Sequence, residues 1–132
     1  MKKFCLHKGQ IKLFNQEAIV TDLLHSLGIP SHIRGFQYIR DGILLMCNNE
    51  NRISYITKDI YPELSLRYNT PPSRVERAIR HAIETSWNRG DMELMDEIFG
   101  NSLNLNRDKP TNAEYITTIE DRLKVRSNLV IN

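Results

Sequence analysis

The residues best placed to do chemistry lie in one run, Ser73-Arg74-Val75-Glu76-Arg77-Ala78-Ile79-Arg80-His81. At helical spacing Val75, Ile79, Ala82 and Ile83 share one face, and Arg74, Arg77, Arg80 and His81 fall on the other. Three guanidinium groups within two turns need an anionic partner or open water. An arginine can bond both acceptors of a guanine edge, which contributes about 1–3 kcal/mol of discrimination between bases. Arg74 and Arg77, near the start of the run, are the candidates for base reading. Arg80 and His81 lie further along, where phosphates are nearer. Glu76 has two readings of equal weight. It accepts from a cytosine amine, or it completes a capping box with Ser73 three residues earlier. The bland alternative for the whole set is a solvated helix face.

The elements around this run support the anionic partner. Pro62-Glu63-Leu64-Ser65-Leu66-Arg67-Tyr68 reads as a short helix with proline at a tolerated first position, and Asn69-Thr70-Pro71-Pro72 interrupts it. A short helix, a tight turn and a second helix with a basic outer face form a helix-turn-helix. Ser65 is small enough for a close crossing, and Asn69 tolerates left-handed backbone at the turn. Leu64, Tyr68, Val75 and Ala78/Ile79 are spaced to fill the gap between the two helices. Lys58 and Arg67 are possible phosphate clamps upstream. The candidate DNA-binding set is therefore Ser73, Arg74, Glu76, Arg77, Arg80, His81 and Lys58. An ordinary helical hairpin with a solvated basic face is the competing structural reading.

The rest of the chain is consistent with one all-α domain. Its 132 residues suffice for a real core, and 40% hydrophobic with 26% charged residues is ordinary for a globular protein. A net charge of +2 is too small to imply nucleic acid by itself, so binding must rest on local clustering. Cys5 and Cys47 stand far apart without a motif, which suits a reducing cytoplasm. No apolar run approaches the length of a membrane span. Helical periodicity covers residues 17–27, with Ile19, Val20, Leu23, Leu24 and Leu27 inward and Gly28 as C-cap. It recurs over 33–47, with Phe36, Ile39, Ile43 and Met46 inward, then over 53–61 and 92–99. A last helix opens at Pro110-Thr111-Asn112-Ala113-Glu114, with Tyr115, Ile116, Ile119 and Leu123 inward. Residues 101–109 read as a loop. Residues 1–16 alternate weakly at Gln10-Ile11-Lys12-Leu13-Phe14 and read as an arm or a short strand ahead of a helical domain over 17–132.

Several longer strings are specific enough to suggest a family. They are Gly28-Ile29-Pro30-Ser31-His32-Ile33-Arg34-Gly35, Ile56-Thr57-Lys58, Tyr61-Pro62, the run from Ser73 through Glu84, Trp87, Arg89-Gly90, Phe99-Gly100 and Lys109-Pro110-Thr111-Asn112. Over most of its length the chain resembles the C-terminal DNA-binding effector domain of the master response regulator of endospore formation in Bacillus and Clostridium relatives. The resemblance implies a six-helix domain that reads a short promoter box of the TGTCGAA kind, often in tandem as a head-to-tail dimer. It implies base and phosphate contacts from Arg74, Glu76, Arg77, Arg80 and His81. It also implies contact with an RNA polymerase sigma factor through residues 90–103, although Asp91-Met92-Glu93-Leu94-Met95-Asp96-Glu97 is more acidic than the family leads one to expect. Family members carry an N-terminal receiver, for which the few residues before the match are too short, so the resemblance leaves an excised domain or a stand-alone relative. Self-association on tandem boxes is expected to use the helix at 92–99 and the last helix. Gly42 stands in a helix where the family tends to alanine, a difference of about 1 kcal/mol in helix propensity.

Other functions find no support in the residues. His7, His25, His32 and His81 lack metal-ligand spacing, and Cys5-Leu6-His7 is one pair without a second. No nucleophile elbow, phosphate loop or dinucleotide motif occurs, so neither an enzyme nor a cofactor is expected. The rival from another class is a non-activating interaction module that pairs with or competes against the full-length regulator. Retention of Arg74, Arg77, Arg80 and His81 together favours DNA, and with it a cytoplasmic, nucleoid-associated protein.

Overall fold

A computed structural model describes residues 8–48, 56–100 and 109–131, with side chains over 16–48, 56–100 and 109–124. Among the described residues there are six α-helices: α1 (Lys8–Ser26), α2 (Arg34–Asn48), α3 (Tyr61–Tyr68), α4 (Pro72–Arg89), α5 (Met92–Phe99) and α6 (Asn112–Ile131). A π-helical turn, Ile56–Ile60, runs directly into α3. The all-α expectation holds, and no strand occurs among the described residues. The alternation at Gln10 to Phe14 lies inside α1, so the strand reading is corrected. No glycine or proline stands between Gln10 and Leu27 to stop the helix, and five alternating residues are too few to override it. Residues 1–7 of the expected arm, 53–55 of the expected helix and 101–108 of the expected loop lie outside the described residues.

α1 ends where the sequence predicts. Gly28 adopts φ 88°, and its N–H donates to the His25 carbonyl at 2.9 Å while Ile29 N–H reaches Leu24 at 3.1 Å. A Cβ at Gly28 would lie 2.7 Å from the backbone nitrogen of Gly90, so the ends of α1 and α4 meet backbone to backbone. Val20, Leu24 and Leu27 are buried, but Ile19 is 48% exposed rather than inward. It sits one residue round the helix from the stripe that Val20, Leu24 and Leu27 define.

α2 is the central element and packs against α1, α3, α4 and α6. Its expected inner residues Phe36, Ile39, Ile43 and Met46 are buried, with Tyr38 beside them. The crossing of α2 over α4 is set at Gly35. A Cβ there would meet the Ala78 carbonyl oxygen at 2.3 Å and the Ala82 Cβ at 2.6 Å. α6 closes the other side with Tyr115, Ile116 and Ile119 fully buried and Leu123 half-buried. α5 contributes Met95, Ile98 and Phe99 to the same core. Met92, at the start of α5, stays 71% exposed, so that end of the helix is not spent inside the fold.

Buried polar groups tie the helices together. Ser86, fully buried on α4, donates to the Leu27 carbonyl at 2.7 Å, and its hydroxyl lies 2.8 Å from that of Tyr115. Burial raises the Tyr115 pKa, so the phenol stays protonated and available for this contact. Trp87 meets Phe99 edge-on at 5.6 Å, and Phe99 stacks on Tyr115 at 5.1 Å.

Two glycines in one helix separate packing from propensity. Alanine normally stabilises a helix interior over glycine by about 1 kcal/mol. At Gly35 the added methyl meets a backbone carbonyl, so Gly35→Ala should instead destabilise by at least ~1–3 kcal/mol, read as a lower denaturation midpoint. At Gly42 the nearest atom is the Ile60 Cγ2, at 3.3 Å, the end of a side chain that can shift. Gly42→Ala should therefore fall within about 1 kcal/mol of the parent. Equal effects at the two positions would contradict the close crossing.

Candidate nucleic-acid interface

The start of α4 follows from Pro71-Pro72. Pro71 is extended, with φ −64° and ψ 148°, and Pro72 occupies the first turn, where a missing N–H costs nothing. The first turn closes on Pro71, whose carbonyl accepts from Arg74 N–H at 3.0 Å. Ser73 is therefore inside the helix and makes no side-chain cap bond. The capping-box reading of Ser73 and Glu76 is corrected on this ground, because a box needs its serine one step outside the helix. The same pattern operates at α6 instead. Thr111 N–H donates to Glu114 Oε1 at 2.9 Å, and Glu114 N–H donates to Thr111 Oγ1 at 3.1 Å.

The turn between α3 and α4 takes its predicted form. Asn69 is left-handed at φ 50° and ψ 55°, and Thr70 N–H donates to the Ser65 carbonyl at 3.1 Å. The Ser65 hydroxyl donates back to the Thr70 carbonyl. Ser65 thus closes the turn, while a close helix crossing, that of α2 over α4, is found at Gly35. Leu64, Val75 and Ile79 are fully buried between the helices, with Ala78 and Tyr68 half-buried beside them.

Asp41 fixes α3 to α2. It is buried and accepts from the Tyr68 hydroxyl and from Arg40 Nε at 3.1 Å. Burial, and then the bond to Asp41, push the Tyr68 pKa up to about 12, so the phenol remains a donor. Arg67 is drawn into the same group, 3.6 Å from Asp41 and 3.8 Å from Glu63. Its guanidinium is engaged with carboxylates, unlike the free phosphate clamp the sequence suggested.

The outer face of α4 holds most of the candidate set. Ser73, Arg74, Arg77, Arg80 and His81 are exposed, opposite buried Val75, Ile79, Ala82, Ile83 and Ser86. Among the described residues the side chains of Arg74, Arg77 and His81 have no hydrogen-bond or ion-pair partner. Arg80 differs: one terminal nitrogen donates to both carboxylate oxygens of Glu76, one turn earlier. That bond holds the Arg80 pKa above its ordinary value. Lys58 is exposed on the π-helical turn against α3, and among the described residues no side-chain bond joins it to the α4 face.

Two residues at this face were not singled out for it by the sequence. Lys109 Nζ lies 3.6 Å from Glu84 Oε2, which brings a cation from the lead-in of α6 to the edge of α4. The Asn112 amide donates to the Tyr61 hydroxyl at 2.8 Å and to the Glu76 carbonyl at 3.0 Å, bridging α3, α4 and α6. Their motif, Lys109-Pro110-Thr111-Asn112, was visible as a string, but its reach to α4 depends on tertiary folding. With Lys109 included, four cations (Arg74, Arg77, Arg80, Lys109) stand against two carboxylates (Glu76, Glu84), a local balance of +2 equal to that of the whole chain.

Among the described residues no group of three His, Cys, Asp or Glu side chains could hold a metal ion. No described helix is long and apolar enough to cross a membrane. The family model described as "Sporulation initiation factor Spo0A C terminal" matches residues 20–123, from the second half of α1 into α6. That span takes in the helix-turn-helix, the buried ties beneath it and the basic face. The chain belongs to this family of DNA-binding domains that regulate transcription in sporulation.

Proposed function

We propose that α4 lies in the major groove and that the chain reads a short promoter box in sequence-specific fashion. The observation that carries this reading is the state of Arg74, Arg77 and His81. They are exposed on a helix whose opposite face is locked in the core, and no protein group among the described residues occupies them. Arg74 and Arg77 sit in the first two turns after the tight turn, the part of a recognition helix that meets base edges. The dipole of α4 adds a partial positive charge at its start that suits a nearby phosphate. Arg80 and Lys109 lie further along and to the side, where the backbone of the duplex would pass. Ser73 adds a hydroxyl donor at the groove entrance, and Lys58 is a separate, outlying cation.

This reading requires discrimination on top of electrostatic attraction. Titration of labelled duplex carrying a TGTCGAA-type box against a scrambled duplex should show tighter binding to the box. Both affinities should fall steeply with salt, because each neutralised phosphate releases condensed counterions. Equal affinities at physiological salt would overturn the specific reading while leaving charge-driven binding in place.

Arg77 should carry base identity. Arg77→Ala is expected to cost about 1–3 kcal/mol on the box and to relax preference at one base pair. A panel of single-base-pair variants of the box checks it. A uniform loss across the panel would reassign Arg77 to the phosphates.

A further inference from the structure

The pairing of Glu76 with Arg80 has a consequence for specificity. Both lie on the proposed reading face, and the Arg80 guanidinium, itself 53% exposed, satisfies both oxygens of the Glu76 carboxylate. The backbone at Glu76 is fixed in place, while its side chain can turn. The Glu76 carbonyl accepts from Asn112 at 3.0 Å, and Asn112 is held in turn by the Tyr61 hydroxyl, so this stretch of α4 is tied to α3 and α6. Arg80 is thus the one arginine of the face that already has an anionic partner within the chain, among the described residues.

We infer that Glu76 is a specificity-determining restraint: it occupies Arg80 on the wrong DNA and releases it on the right DNA. The inference rests on the proposed reading of DNA by α4. A phosphate that takes Arg80 leaves the Glu76 carboxylate bare beside a polyanion, which opposes the exchange. Where a base edge offers an amine hydrogen, as cytosine does in the major groove, Glu76 gains a new donor as it gives up Arg80. The exchange then keeps every charged group paired. Arg80 contributes to phosphate binding only when Glu76 has found its base, so one contact licenses the other. The weakness of an exposed ion pair suits this role, because a strong pair would never open.

A double-mutant cycle on the full chain tests it, using Glu76→Gln, Arg80→Ala and the double variant on box and scrambled duplexes across a salt series. Glu76→Gln should bind the scrambled duplex several-fold more tightly at low salt. The slope of log affinity against log salt should steepen by about 0.9, the signature of one more neutralised phosphate. Discrimination between box and scrambled duplex should shrink by at least about fivefold, equivalent to ~1 kcal/mol. Arg80→Ala should weaken the box more than the scrambled duplex, and the gain from Glu76→Gln should vanish in the Arg80→Ala background. The same gain in that background would show that the carboxylate merely repels DNA through its own charge, and would overturn the restraint. No gain on scrambled duplex in either background would overturn it too. Failure of the underlying reading looks different: the parent chain itself would show no preference for the box, whatever the cycle on scrambled DNA gives. Thermal melts of the three variants, expected near the parent because both side chains lie at the surface, confirm that folding is not what changes.

Discussion

The approach of Gly35 to Ala78 governs how α4 is presented. With no side chain at Gly35, the backbone of α2 settles directly on the Ala78 carbonyl and the Ala82 methyl group. That contact leaves α4 little freedom to roll. Once Val75, Ile79, Ala82, Ile83 and Ser86 are committed to the core, Arg74, Arg77, Arg80 and His81 must point outward. The geometry of the basic face is thus a by-product of burial, not of interactions among the basic residues themselves. Ser86 reinforces it at the far end, where its hydroxyl joins the end of α1 to α6 through Leu27 and Tyr115. Buried hydrogen bonds of this kind contribute about 1 kcal/mol each when made and cost more when broken, so they resist rotation of the helix.

Charge is managed in two zones. Behind the turn, Asp41 is enclosed by Tyr68, Arg40 and Arg67, so a buried carboxylate is matched by donors from two helices. In front of it, the α4 face carries Arg74 and Arg77, which no carboxylate among the described residues matches. The contrast between Arg67 and Arg77 is instructive. Both are exposed arginines in the helix-turn-helix, yet Arg67 has two carboxylates within 4 Å and Arg77 has none among the described residues. Counting basic residues in the sequence treats them alike. Only the packing of α3 on α2 separates a structural cation from one free to meet an external anion.

That difference marks what the sequence could and could not convey. The inner face of α4, the left-handed Asn69 and the Gly28 cap were legible because each depends on residues close together in the chain. Helical period and backbone permissiveness are local properties. The alternation at Gln10 to Phe14 misled because a five-residue pattern competes with a longer helix that nothing interrupts. Ser73 and Glu76 had the right spacing for a capping box, but two prolines moved the helix start forward and left the serine inside. Thr111 and Glu114 show the same spacing with the helix start in the right place, and there the box forms. The ties made by Asn112 and Ser86 join residues 29 to 59 positions apart, and no local pattern announces them.

These long-range ties bear directly on recognition. A helix that must be ordered on binding loses part of its interaction free energy to that ordering. Here α4 is held before DNA arrives: by α2 along its length, by Asn112 at the Glu76 carbonyl and by Ser86 near its end. What remains adjustable is the side chains, and these differ in how free they are. Among the described residues Arg74 and Arg77 are unengaged, so on the proposed reading they can search the groove at once, whereas Arg80 must first exchange partners. A rigid backbone carrying both free and restrained arginines separates two tasks. In the proposed mode, the free residues test the sequence and the restrained one adds affinity after the test succeeds. A net charge of only +2 gives the chain little bulk attraction for a polyanion, and the proposed exchange of partners at Arg80 relies on that modest charge to decide where the chain stays.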